Sequence, residues 1–189
     1  MRAAIAALLL GLAVSGCNTV RPIEGSLTPL GKDLDLRLPA APGYPEKLDA
    51  VQTVVGQYGE RRAAFQAILA LSPKQAEVVL TTPGGPRILS IRWTERGIVE
   101  DRTPLAPVGF RGINVLGDIF LSFWPVASVR AALPAGVTVE EAGSRRIVKA
   151  ANRTIAEVET LEKTDALWRQ KLTNLDFGYS LTIITEKDQ

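Results

Sequence analysis

Gly112-Ile113-Asn114-Val115-Leu116-Gly117-Asp118-Ile119-Phe120-Leu121-Ser122-Phe123-Trp124 is the stretch on which the fold turns. Its spacing is helical, with Ile113, Leu116, Phe120 and Phe123/Trp124 on one face. Val115, Ile119 and Leu121 fall elsewhere around the axis. Only Asn114, Gly117, Asp118 and Ser122 remain for a polar stripe. A helix apolar almost all round must be covered on most sides. One helix lying on one sheet achieves this only if it sits inside the sheet's curve. Pro125 disfavours helix at Trp124 but suits the first turn of a new helix, Val126 to Leu133, which Pro134-Ala135-Gly136 stops. The pattern predicts two short helices with a kink between them.

On both sides of this insert the period is two. Val51 to Tyr58 is rich in β-branched residues and meets Gly59-Glu60, a turn. Arg61 to Leu71 runs to Ser72-Pro73. Ala76 to Thr82 ends in Pro83-Gly84-Gly85-Pro86, a hairpin signal without a phosphate-loop lysine. Arg87 to Thr94 and Ile98 to Arg102 complete a first meander. Beyond the helices, Val137 to Glu141 and Arg145 to Ala150 turn at Ala142-Gly143-Ser144, with Glu140-Glu141 and Arg145-Arg146 expected to pair across the turn. Thr154 to Leu161 and Phe177 to Thr185 are further strands, and Asp165 to Lys171 is ambiguous. Runs of strands around a helical piece predict a mainly β, α+β domain over residues 46–189. Its expected form is a curved antiparallel half-barrel with a short helical lid or plug.

The N-terminus carries a different message. Met1-Arg2 precedes an unbroken apolar run from Ala3 to Val14. That layout is a secretory signal, and the run is shorter than the roughly 20 residues that span a bilayer. Val14-Ser15-Gly16-Cys17 resembles the bacterial lipobox, in which small residues precede the cysteine that takes a diacylglyceryl group. Cys17 is the only cysteine, so it has no disulfide partner. The expectation is a signal at residues 1–16 and lipid attachment at Cys17. By the same resemblance, Asn18 at the sorting position implies the outer membrane, facing the periplasm. Residues 17–45 read as a Pro/Gly-rich tether spanning roughly 25–30 Å. Within it, Leu34, Leu36 and Leu38 alternate with charged residues like a half-buried extended segment.

Composition narrows the chemistry. There are 22 Lys+Arg against 20 Asp+Glu, with no basic block, so nucleic acid is not an expected partner. Histidine is absent. That removes serine–histidine and cysteine–histidine catalysis and the usual zinc sites. Asp33 and Asp35 lack the further acidic ligands a calcium loop needs. No catalytic residue, metal or cofactor is expected.

The apolar faces point to a binding cavity instead. Phe65, Ala67, Leu69 and Leu71 share one strand face. Leu89, Ile91 and Trp93 share another, and Tyr179, Leu181 and Ile183 a third. With the helix they enclose either a dry core or a cavity for an apolar guest. The expected cavity residues are Phe65, Leu69, Ile91, Trp93, Ile119, Phe120, Phe123, Tyr179 and Leu181. Asp118, alone in the apolar helix, either meets a polar head group or a partner, or faces solvent or satisfies a nearby backbone group.

Ala50-Val51-Gln52, the Leu80-Thr81-Thr82-Pro83-Gly84-Gly85 turn, the run Asp118 to Leu133 and the closing Phe177 to Ile183 resemble an uncharacterised family of bacterial lipoproteins. That family is similar to the LolA and LolB lipoprotein carriers and often lies in clusters for aryl-polyene or fatty-acid-like synthesis. The resemblance implies a half-open sheet closed by a helical lid over an apolar cavity, and work on a lipid-like product. The function expected is a membrane-anchored, non-enzymatic protein that binds or transfers an acyl or polyene-lipid molecule. The alternative is an assembly module with a dry core and an envelope protein as partner.

Overall fold

The computed structural model describes residues 20–22 and 27–187. The expected signal, Cys17 and Asn18 lie outside them. In chain order the described elements are β1 (Val20–Pro22), β2 (Leu27–Gly31), β3 (Leu34–Arg37), β4 (Leu48–Tyr58), β5 (Arg61–Leu71), β6 (Gln75–Thr81), β7 (Arg87–Thr94) and β8 (Gly97–Arg102). Helices α1 (Gly112–Phe123) and α2 (Val126–Ala132) follow. The chain closes with β9 (Val137–Ala142), β10 (Arg145–Ala150), β11 (Arg153–Lys163), β12 (Leu167–Asn174) and β13 (Tyr179–Lys187).

Eleven strands form one antiparallel sheet in the order β1-β8-β7-β6-β5-β4-β13-β12-β11-β10-β9. Each meander zips through short turns, as at Gly59, whose φ of 57° suits a residue without a Cβ. The last strand, β13, lies between β4 and β12 and so joins the meander before the helices to the one after them. The two edges, β1 and β9, do not pair with each other, and the curved sheet stays open. This is the half-barrel that the alternating pattern predicts. The ambiguous stretch resolves as β12, whose inner residues Gln170, Leu172 and Asn174 are buried while Arg169 and Lys171 are exposed. One expected ion pair is corrected. Arg146 meets Glu141 at 2.6 Å across the turn, but Arg145 reaches the neighbouring strand, at 3.2 Å from Glu157.

The helices lie on the concave face. The break at Trp124-Pro125 separates α1 from α2 as the proline requires. Trp124 is packed against Trp93, Phe120 and Tyr44, with ring centroids 5.8, 5.1 and 5.0 Å away. Its indole Nε1 donates to the Pro42 carbonyl at 2.6 Å.

Pro42 and Tyr44 belong to the stretch expected to be a tether, and here the structure corrects the sequence reading. Residues 27–45 fold back as the β2–β3 hairpin and an extended segment that cover the side of α1 away from the sheet. Leu30, Leu36 and Leu38 are each 1% exposed. The buried Thr28 hydroxyl donates to the Ile113 carbonyl at 2.9 Å, and a Cβ on Gly117 would lie 2.6 Å from Thr28 Oγ1. Glycine at 117 thus lets the hairpin approach the helix. Asn174 Nδ2 donates to the Leu30 carbonyl at 2.9 Å and ties the hairpin to β12. Prolines and glycines serve tight turns as well as flexible linkers, which is why the composition misleads. The alternating leucines carry the correct signal. β1 also pairs with β8, Val20 opposite Asp101, so the chain enters the sheet three residues after Cys17.

A direct consequence is that Leu36→Ala is expected to lower the unfolding free energy by about 3 kcal/mol, as for a buried leucine elsewhere. Chemical denaturation measures it. A change within about 0.5 kcal/mol would return this segment to a tether.

Candidate functional site

The concave face is not filled along its whole length. Two paired positions short of the β4–β5 turn, Gly56 and Ala63, carry almost no side chain. Gly56 contributes none and Ala63 only a methyl group, while α1 begins at Gly112. A groove of about 940 Å³ opens there between Gly56, Tyr58, Arg61, Tyr179 and Leu181 on the sheet and residues 107–118 opposite. It leads inward to a cavity of about 90 Å³ lined by Val54, Phe65, Ala67, Leu80, Ile119, Phe123 and Ile183, among others. Phe110, Val115, Asp118 and Leu181 border both spaces. The inner walls are almost wholly apolar.

The loop between β8 and α1 forms one wall and is held from the sheet. Glu100, in β8, accepts the Gly112 N–H at 2.8 Å through Oε2. Its carboxylate supplies the acceptor that the start of α1 lacks, at the positive end of the helix dipole. Arg102 donates to the Phe110 carbonyl and, at 3.2 Å, to that of Pro107. These bonds set the Phe110 ring 5.9 Å from Phe65, over the entrance to the inner cavity. At the tip, Val108 is fully exposed and Leu105 is 55% exposed. A Cβ on Gly112 would lie 2.5 Å from Glu100 Oε2, so this contact requires glycine.

The nine residues expected to line a cavity divide into two groups. Tyr179 and Leu181 line the groove, and Phe65, Ile119, Phe123 and Leu181 line the inner cavity. Leu69, Ile91, Trp93 and Phe120 do not border either space. They are at most 1% exposed and pack around Trp124 and α1 as dry core, which corrects the expectation. Strand parity cannot distinguish these groups, because both face inward and differ only in distance along the sheet from the helix end. Gly56, Arg61, Arg62, Phe110 and Arg111 are among the groove residues that sequence reasoning missed. An isolated glycine inside a strand was the one available signal. Among the described residues no cluster of acidic side chains could hold a metal.

Asp118 is the polar group at the junction of groove and cavity. It is half-buried on the groove side, and its carboxylate pairs with a side chain, not with backbone, among the described residues. The Tyr179 hydroxyl donates to its Oδ1 at 2.6 Å. Burial raises the Asp118 pKa from 3.8 to about 7, against the lowering effect of that hydrogen bond. Burial and then the Asp118 charge raise Tyr179, which stays a phenol. A carboxyl whose folded pKa exceeds its unfolded one binds its proton more tightly when folded. The folded state is then favoured at low pH, and this stability is lost as pH rises through the window from 3.8 to about 7. Asp118→Asn keeps an oxygen for Tyr179 and removes the titration. It is expected to gain stability over the parent by on the order of 2 kcal/mol between acidic and mildly alkaline pH. Parallel denaturation curves at the two pH values check this, and an equal offset at both would contradict it.

Among solved structures, the chain is similar to a LolA superfamily protein from Nitrosomonas europaea, with a TM-score of 0.42 and 9% identity. The likeness covers 77% of this chain and 86% of that one. No curated protein matches the sequence. Residues 49–187, from the second residue of β4 to the end of β13, match the family described as protein of unknown function DUF3261. The chain belongs to the DUF3261 family.

Proposed function

We propose that this protein is a non-enzymatic, lipid-anchored component of the periplasmic face of the outer membrane, and that it binds or transfers a hydrophobic acyl or polyene-like molecule in its groove. The observation that carries this reading is the groove of about 940 Å³ running into an apolar cavity under α1. A dry, fully packed concave face would offer a guest nothing. Here each methylene moved from water to these walls is worth about 0.8 kcal/mol before the cost of ordering the chain.

The anchor geometry supports exchange with a membrane. From Cys17 to Val20 the chain spans at most about 10 Å. Val20 lies opposite Asp101, near the C-terminal end of β8. That end of the sheet also carries the β4–β5 turn and the loop that walls the groove. A lipid on Cys17 would therefore hold the groove mouth, with exposed Val108 and Leu105, close to the bilayer. Opening of the β8–α1 loop, whose Phe110 covers the inner cavity, is the movement that admits or releases a chain.

Gly56 allows a clean test. A Cβ there would meet Leu181 Cδ2 at 3.4 Å, an ordinary contact, and the glycine's φ is not positive. Gly56→Phe should place a ring in the groove and leave the core untouched. It is expected to weaken binding of a fluorescent fatty-acyl probe by at least about tenfold, with an equal or higher Tm because strand glycine is entropically costly. Undiminished probe binding in the variant would remove the groove as the binding site.

A further inference from the structure

Three arginines border the groove: Arg61, Arg62 and Arg111. Arg61 opens β5 on the same strand face as Ala63 and Phe65, the concave one. Arg62 follows it, and Arg111 immediately precedes α1. Among the described residues, seven other arginines each meet a carboxylate. Arg37, Arg96, Arg130 and these three meet none there, and of those six only these three border one opening.

Among the described residues, the one carboxyl bordering the groove, Asp118, is deeper, where groove meets cavity, and is occupied by the Tyr179 hydroxyl. Burial raises its pKa to about 7, so near neutral pH it sets only part of one negative charge against three arginines. The site is thus cationic at its entrance and apolar within. The inner cavity of about 90 Å³ has room for the end of one chain only.

Building on the groove as the site of a hydrophobic guest, we propose that the guest is a single-chain amphiphile with an anionic oxygen head. Arg61, Arg62 and Arg111 hold that head, a carboxylate or a phosphate, at the mouth. The chain passes Tyr179 and Leu181 and ends beside Phe65 and Phe123. The guanidinium fork suits both head groups, because each presents paired oxygens to its parallel N–H donors. Neutral chains of the same length lack this recognition and enter on hydrophobicity alone.

Photolabelling of the full chain in nanodiscs of phosphatidylcholine tests the assignment. The probes are palmitic acid carrying a diazirine near the chain end, the matching alcohol and the matching phosphate monoester. Acid or phosphate is expected to label the peptides containing Phe65, Ile119 or Phe123 at about tenfold lower concentration than the alcohol. Whichever of the two labels first identifies the head. The combined Arg61→Ala, Arg62→Ala and Arg111→Ala variant should lose that advantage while the alcohol still labels it, which shows that the groove remains folded. Lysine at the three positions should restore part of the preference. Equal labelling by all three probes would overturn the anionic head but not the groove. Absence of label from these peptides with every probe would overturn both.

Discussion

The rest of the structure depends on the need to cover α1 on two opposite sides. Its sequence leaves almost no face for water, so the sheet alone cannot satisfy it. The concave sheet takes one side through Leu89, Ile91 and Trp93. The β2–β3 hairpin takes the other through Thr28, Leu30 and Leu36. Gly117 permits the approach, and Trp124, bonded to the Pro42 carbonyl, closes the far end. The helix therefore works as the middle layer of a three-layer stack, and neither outer layer could remain as it is without it.

That stack also explains why the groove lies where it does. Core packing is dense around Trp93, Phe120 and Trp124, and the groove opens along the side of α1 that carries Arg111, Asn114, Val115 and Asp118. There Glu100 and Arg102 hold the β8–α1 loop as a wall instead of letting it fall onto the sheet. Gly56 and Ala63 leave the facing strands low. The same molecule thus has a dry half, which supplies stability, and an open half, which is free to bind. One end of the concave face is packed as a plug, and the other leaves a groove.

Much of this was legible in the sequence, for physical reasons. Period-two alternation marked the strands, and Pro125 marked the kink between the helices. The excess of apolar residues around α1 required a second cover but could not name it. Leu34, Leu36 and Leu38 alternate as a covering strand should, yet the surrounding prolines and glycines read as a tether, since turns and linkers share a composition. The inward-facing residues were found by parity, which holds for Phe65 and Leu181 as well as for Leu69 and Trp93. Their separation into groove and core depends on long-range placement that no local pattern encodes. Arg61 and Phe110 belong to the site only because a strand start and a loop end meet in space.

The central claim is that the open half of the concave face holds a hydrophobic guest. Native mass spectrometry of the chain without residues 1–17, purified gently from the periplasm and paired with lipid extraction, addresses it most directly. A bound species of discrete mass, recovered in the extract as a chain-bearing molecule, is the result this structure leads us to expect. An empty mass that stays empty when fatty acids are added would contradict it and leave the fold as a scaffold for protein contacts.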